Sequence, residues 1–254
     1  MFNRAWMVVL GCLAAVGCGG APNEDGAEQA DDAIIGGTTD NGDPSVVAIF
    51  AHQPNATSGS LCTGTVISPT TVLTAAHCVD PRVVGSGNVF EVFLGPTLSS
   101  TATRLAVSST AFDPQFNIND VTAGHDVGIV KLAQPTTLTP IPFNKKALTS
   151  SSVGTSIRIV GYGSNKHANT GAGTKRQATT KIDAIDSLTI QIGTSSKQTC
   201  HGDSGGPAFQ KINGVDTIVG ITSFGSDRSD TSVCFNGGFD TRVDDYVTFI
   251  NAHL

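Results

Sequence analysis

Gly202-Asp203-Ser204-Gly205-Gly206-Pro207 sets one serine among three glycines, whose backbones reach conformations and close approaches denied to residues with a Cβ. A serine so placed is a candidate nucleophile. Its hydroxyl is too weak at neutral pH to attack an amide unless a base takes the proton and N–H groups receive the oxyanion. The rest of the chain must supply those parts.

Around this stretch, from Ile34 onward, apolar runs of strand length alternate with Gly, Pro, Asn and Ser, which predicts short strands joined by tight turns. The candidates are Val46–Phe50, Leu61–Ser68, Val72–Ala75, Val89–Leu94, Leu105–Phe112, Val127–Leu132, Ser156–Gly161, Arg176–Ile182, Leu188–Ile192, Pro207–Lys211, Thr217–Ser223 and Phe239–Val243. Asn213-Gly214 between two of them is a strong hairpin signal. Twelve short strands fit two closed barrels better than one sandwich. The expected architecture is all-β: two six-stranded antiparallel β-barrels packed together, the first over residues 34–134 and the second over 145–243. Pro135–Asn144, with three prolines, is the expected connection. Asp244–His253 reads as a helix, with Val247 and Ile250 on one face behind an aspartate start.

Composition agrees with this class: 254 residues, 39% hydrophobic, with 29 glycines and 11 prolines, suit turns and β-branched strands. The net charge of −6 comes without a basic cluster, which argues against nucleic acid as a partner. At the N-terminus Arg4 precedes an apolar run from Ala5 to Val16, too short to span a bilayer and shaped like an export signal. Its end, Ala15-Val16-Gly17-Cys18, resembles the bacterial lipobox, so residues 1–18 are expected to be a signal and Cys18 to be lipidated. Val9-Leu10-Gly11-Cys12 is a competing match with a shorter apolar run. Residues 19–33 carry Glu24, Asp25, Glu28, Asp31 and Asp32 with almost no large apolar residue, the mark of a disordered tether or propeptide. Beyond the signal stand Cys62, Cys78, Cys200 and Cys234, an even number in a compartment where disulfides persist, so two bridges are expected. Counting alone leaves three pairings open. No Cys-x-x-Cys spacing supports a zinc site, and no metal or other cofactor is expected.

Ile34-Ile35-Gly36-Gly37, Thr74-Ala75-Ala76-His77-Cys78, Asp126-Val127-Gly128-Ile129 and Gly202 to Pro207 together resemble the chymotrypsin/trypsin-like serine endopeptidases, over residues 34–254 and in family order. The resemblance implies that Ser204 attacks the scissile carbonyl, that His77 accepts and returns its proton, and that Asp126 fixes the imidazole tautomer. The N–H groups of Gly202 and Ser204 would form the oxyanion hole. By the family's pattern Cys62 pairs with Cys78 and Cys200 with Cys234, each bridge contributing roughly 3–4 kcal/mol by chain entropy. The resemblance further implies a zymogen: cleavage before Ile34 frees an ammonium that pairs with Asp203, so that this carboxylate is buried only with a partner. Ala33 stands before the cut, so a trypsin-like activator is not expected. With no cysteine after Cys18 in the tether, activation would release the enzyme from a membrane anchor.

For specificity, Ser223-Phe224-Gly225 matches the strand that pairs with substrate backbone, and Gly225 and Gly238 match glycines that keep the primary pocket open. Gln198 stands where trypsin-like members place an aspartate at the pocket base. Asp240 replaces a pocket-lining tyrosine, where it could select a basic side chain, be neutralised by Arg242, or be hydrogen-bonded to Gln198. Basic specificity and chymotrypsin- or elastase-like preferences both stay open. His201 is expected at the pocket rim, the Ser226–Val233 insert as a solvated loop, and His52, His125, His167 and His253 have no motif support. A short interval between Asp126 and Ser204 suggests a missing helix and loop. The expected protein is a monomeric exported endopeptidase acting on proteins or peptides; a non-catalytic binding protein on the same scaffold is the alternative, against which stands the retention of all three chemical residues.

Overall fold

The strand assignments follow from alternating burial. In the computed structural model, which describes residues 34–166, 170–226 and 234–254, all of the predicted strand segments form strands. The signal with Cys18, the tether, His167 and residues 227–233 of the insert lie outside the described residues. A two-residue strand β1 (Thr38–Thr39) precedes the first barrel, which comprises β2 (Val46–His52), β3 (Gly59–Ser68), β4 (Thr71–Thr74), β5 (Val89–Phe93), β6 (Arg104–Phe112) and β7 (Gly128–Leu132). These close in the order β2-β3-β4-β7-β6-β5. Closure leaves no unpaired edge to attract another chain.

The second ring holds β8 (Ser156–Gly161), β9 (Arg176–Ile185), β10 (Thr189–Ile192), β11 (Pro207–Ile212), β12 (Val215–Gly225) and β13 (Gly238–Arg242). Its order β9-β10-β13-β12-β11-β8 is closed by pairing of β8 with β9, and β1 is added outside β9. Asn213 and Gly214 join β11 to β12 with φ of 51° and 83°, the left-handed pair a two-residue hairpin turn needs. Ile157, Ile159, Ile182, Ile190, Ile192 and Val219 fill this barrel, and Val47, Ile49, Val66, Leu73, Val92 and Ile129 belong to the core of the first. Each such side chain contributes about 1.5–3 kcal/mol when fully buried.

The proline-rich connection runs from one barrel to the other as expected. The Ile141 N–H donates to the Val66 carbonyl at 2.9 Å, and three residues later Asn144 donates to Ile218 at 2.8 Å. A single helical turn, α1 (Pro81–Val84), follows His77 and is capped by the Asp80 carboxylate, which accepts from the Arg82 N–H. The C-terminal helix is shorter than expected: a 3-10 turn over Asp244–Tyr246 leads into α2 (Val247–Asn251). Tyr246, at φ −112° and ψ 19°, leaves helical geometry, and its hydroxyl accepts the His125 N–H at 3.0 Å. No helix among the described residues is long and apolar enough to cross a membrane.

Candidate active site

The elements that carry the chemistry meet where the barrels touch. β4 ends at Thr74, and a 3-10 turn over Ala76–Cys78 presents His77. β7 begins at Gly128 beside that turn; a Cβ there would lie 2.5 Å from the Ala75 carbonyl oxygen and 2.8 Å from a Val79 methyl. Only a glycine lets Asp126, two residues earlier, come this close to His77.

Asp126 is fully buried and completely partnered. Its Oδ1 accepts the His77 backbone N–H at 2.9 Å, and its Oδ2 lies 2.7 Å from His77 Nδ1. The Ser223 hydroxyl donates to the same Oδ2 at 2.5 Å, and the Thr241 hydroxyl donates to the Asp126 carbonyl at 3.0 Å. Burial pushes this carboxyl up, but His77 and the hydrogen bonds outweigh it and hold Asp126 below the ordinary carboxylate value. For His77, burial pushes the imidazolium down while the Asp126 charge and hydrogen bond push it up, and the balance lies above 6.5. An ionised Asp126 fixes the proton on Nδ1 and leaves Nε2 as the basic nitrogen.

The loop before β11 delivers Ser204. Gly205 has φ 79°, and a Cβ there would sit 2.0 Å from the Thr74 hydroxyl and 2.5 Å from the Thr63 carbonyl oxygen, so the loop lies directly on the first barrel. Thr63 of β3 clamps it: the Thr63 N–H donates to the Ser204 carbonyl at 2.8 Å and the hydroxyl to the Gly202 carbonyl at 2.9 Å. Within this loop the N–H groups of Asp203, Gly205 and Gly206 are used on the carbonyls of Cys200, Thr222 and Asp203. Those of Gly202 and Ser204 have no partner among the described residues, as donors reserved for a ligand oxygen must be. Ser204 and His77 line one cleft of about 370 Å³ without a direct hydrogen bond, a contact that commonly tightens only when substrate arrives.

The expected disulfides are both present, Cys62 with Cys78 beside His77 and Cys200 with Cys234 beside the nucleophile loop. Asp203 is buried, its Oδ1 accepting the Gly163 N–H at 2.7 Å and its Oδ2 the Cys200 N–H at 2.8 Å. Burial pushes it up to about 7 against these two donors. Ile34 is buried in the second barrel's core with φ 53°, a strained value for a β-branched residue. Ile35 bridges to Gln198, which places this segment on the strand of chain leading to Ser204.

Of the pocket residues, Gln198, Ser223 and Gly225 border the cleft together with His201. Gly238 and Asp240, expected on its wall, do not border it. A Cβ on Gly238 would meet the Phe224 carbonyl oxygen at 2.8 Å, and Asp240 is wholly buried on the strand position paired with Thr222. It is Thr222 that borders the cleft. Nor is Asp240 neutralised in the ways expected: Gln198 donates to the Cys234 carbonyl and accepts from the Gly237 N–H, both at 2.9 Å, while Arg242 pairs with Asp244 and Asp245. Three contributors lie beyond what the sequence motifs indicate: Thr222, the Thr241 hydroxyl on the Asp126 carbonyl, and the Ser223 hydroxyl on the Asp126 carboxylate, whose motif points only to substrate backbone. None has a local motif for that contact, although β13 and the Ser223 strand could have been suspected from their adjacency in the barrel.

A sequence profile described as Trypsin matches residues 34–250. The chain belongs to the trypsin family. It is similar to chymotrypsin-like elastase family member 1 of Bos taurus, 30% identical over 86% of this chain and 88% of that protein, and to the Homo sapiens protein of the same name, 31% identical over 86% and 91%. Brachyurin of Leptuca pugilator is 34% identical over 65% of this chain and 76% of its own length. This trypsin-family chain is a serine endopeptidase, and the two closed barrels described above are its family's fold.

Proposed function

We propose that Ser204, His77 and Asp126 form the catalytic triad, with the Gly202 and Ser204 N–H groups as oxyanion hole, and that the chain hydrolyses peptide bonds through an acyl-enzyme. The carrying observation is one cleft lined by both Ser204 and His77, with His77 held from behind by the buried Asp126 carboxylate, and the N–H groups of Ser204 and of nearby Gly202 unspent among the described residues. His77 Nε2 would take the Ser204 proton as the hydroxyl oxygen bonds to the scissile carbonyl carbon. The carbonyl oxygen, now an anion, would be received by the two N–H groups. His77 would then give its proton to the departing amine, and water would release the acyl group by the same route in reverse. Labelling with an organophosphonate of the full chain cut before Ile34 tests this. Labelling lost on Ser204→Ala supports it, and an unlabelled, correctly cut protein refutes it.

Activation by that cut, through an Ile34 ammonium paired with Asp203, is part of the same proposal. The strained φ of Ile34, which exists only while Ala33 is attached, supports it; Asp203 departs from the expectation, being already buried before the cut on the Gly163 and Cys200 N–H groups without a cationic partner among the described residues, so the ammonium would pair with an acid already in place. Export follows from residues 1–33, with Cys18 as lipid anchor of the precursor and release upon cutting. Protein that begins at Ile34 yet still sediments with membranes would refute that release.

A further inference from the structure

Asp126 reaches His77 from a backbone held in an uncommon conformation, by a side chain that the proposed mechanism does not use. Gly124 and His125 have φ of 84° and 64°, and the Val127 N–H donates to the His125 carbonyl at 2.9 Å, which closes a three-residue turn with Asp126 at its centre. A histidine at positive φ is strained and persists only where its surroundings enforce it. The enforcing group is the Tyr246 hydroxyl, brought here by the C-terminal 3-10 turn. Its oxygen accepts the His125 N–H at 3.0 Å and lies 3.2 Å from His125 Nδ1, with the two rings edge to face at 5.8 Å. Asp113, just past β6, anchors the far side of the turn by donating its N–H to the Val127 carbonyl at 3.1 Å. Its carboxylate stays 3.9 Å from His125 Nδ1 and accepts the Gln115 N–H instead.

We propose that Tyr246 is a positioning residue for the reaction: its hydroxyl, bonded at once to the main chain and the ring of His125, locks the turn that aims the Asp126 carboxylate at His77. A phenol oxygen that receives the N–H has one proton to give, and among the described residues Nδ1 is the acceptor in reach. Burial and the charges of Asp113, Asp245 and Asp126 keep that proton in place well above the ordinary phenol value, against the pull of the His125 N–H. The lock therefore holds His125 with Nδ1 bare and its own proton on Nε2. Without the hydroxyl, His125 relaxes from its strained φ, and the two Asp126 contacts with His77, at 2.9 and 2.7 Å, lose their alignment. The loss falls on turnover and spares substrate binding, because the turn lies behind His77 and does not border the cleft.

The lock rests on the proposed triad, and active-site titration separates the two. The full chain, carrying an engineered cleavage site that leaves Ile34 first, is cut and titrated with an organophosphonate. Then kcat, KM and the acid limb of kcat/KM are measured per titrated site for wild type, Tyr246→Phe, His125→Asn and His125→Ala, on whichever amide with Arg, Leu, Phe or Ala before the scissile bond is turned over fastest. Tyr246→Phe is expected to lower kcat about tenfold with KM within about twofold, and to move the acid limb down by about 0.5 pH unit as His77 loses part of its carboxylate support. His125→Ala should match it. His125→Asn should stay within about threefold of wild type, because asparagine tolerates positive φ and its side-chain oxygen accepts the Tyr246 proton. NMR of the imidazole nitrogens in the Ser204→Ala chain should show neutral His125 protonated on Nε2. The lock is overturned if the variants lose thermal stability or titratable fraction while each titrated site keeps the wild-type kcat and acid limb. A His125→Asn enzyme as slow as His125→Ala, or a neutral His125 protonated on Nδ1, overturns it as well. A wild type that does not titrate refutes the triad, and the lock with it.

Discussion

Asp240→Asn should change how stability depends on pH more than it changes stability at any one pH. The carboxyl has an ordinary value of 3.8 and is held in the fold at about 8, so between these values the folded chain binds a proton that the unfolded chain has lost. The stabilisation from this proton is complete below 3.8 and is lost as pH rises toward 8, at up to about 1.4 kcal/mol per pH unit. From pH 5 to 7 that amounts to roughly 2–3 kcal/mol, a large share of the 5–15 kcal/mol typical of a domain. Asparagine removes the titration, and the pH-independent cost of its own buried amide cancels when slopes are compared. The assay is denaturant unfolding of the full chain, in a Ser204→Ala background to prevent self-digestion, at pH 5, 6, 7 and 8 with and without Asp240→Asn. Asp203 and His77 titrate in both proteins and drop out of the difference. The stability gap should move steadily in favour of asparagine as pH rises. Parallel curves would refute the reasoning, because they require a folded-state carboxylate already ionised and partnered.

Activity should be lost as pH falls through a value above 6.5, since the Asp126 charge holds the His77 imidazolium above its ordinary value and only neutral His77 can accept a proton; an acid limb below 6 in kcat/KM would contradict this. Asp126→Asn should remove that support and, as the family's established behaviour suggests, lower kcat on the order of 10⁴-fold while leaving phosphonate-independent binding of substrate analogues near normal. Ser223→Ala deletes one of three hydrogen bonds to the Asp126 carboxylate and should reduce kcat by about 10-fold with KM nearly unchanged, a loss of about 1.4 kcal/mol; a pure KM effect would argue that the hydroxyl serves substrate alone. Gly205→Ala forces a Cβ to within 2.0 Å of the Thr74 hydroxyl at a φ of 79°, and should destabilise the chain by more than about 3 kcal/mol in thermal unfolding.

The fold was legible because its strands are short apolar runs cut by turn formers, a pattern local enough to survive without tertiary information. The opening stretch and the His77 and Asp126 motifs were legible for a related reason: each packs a reactive side chain beside small residues whose need is backbone proximity, as Gly128 and Gly205 demonstrate. What stayed hidden was set across the sheet. Ser223 reaches an acid 97 positions away and Thr241 one 115 away, distances at which no periodicity carries a signal. Asp240 stands where the resemblance puts a pocket-lining tyrosine, whereas its cross-strand partner Thr222 is the residue that borders the cleft. The C-terminal helix was overextended for the same cause, since the pull of His125 on Tyr246 comes from the other barrel.

The Thr63 clamp gives the two barrels a shared fate. Ser204 belongs to one barrel by sequence, yet its carbonyl and that of Gly202 are held by a residue of the other, so a chain severed in the crossing between Leu132 and Ser156 would yield halves that are each chemically silent. Reactivity toward a phosphonate would return only on mixing, which makes it a direct gauge of how firmly the halves dock and turns the proposed nucleophile into a reporter of assembly.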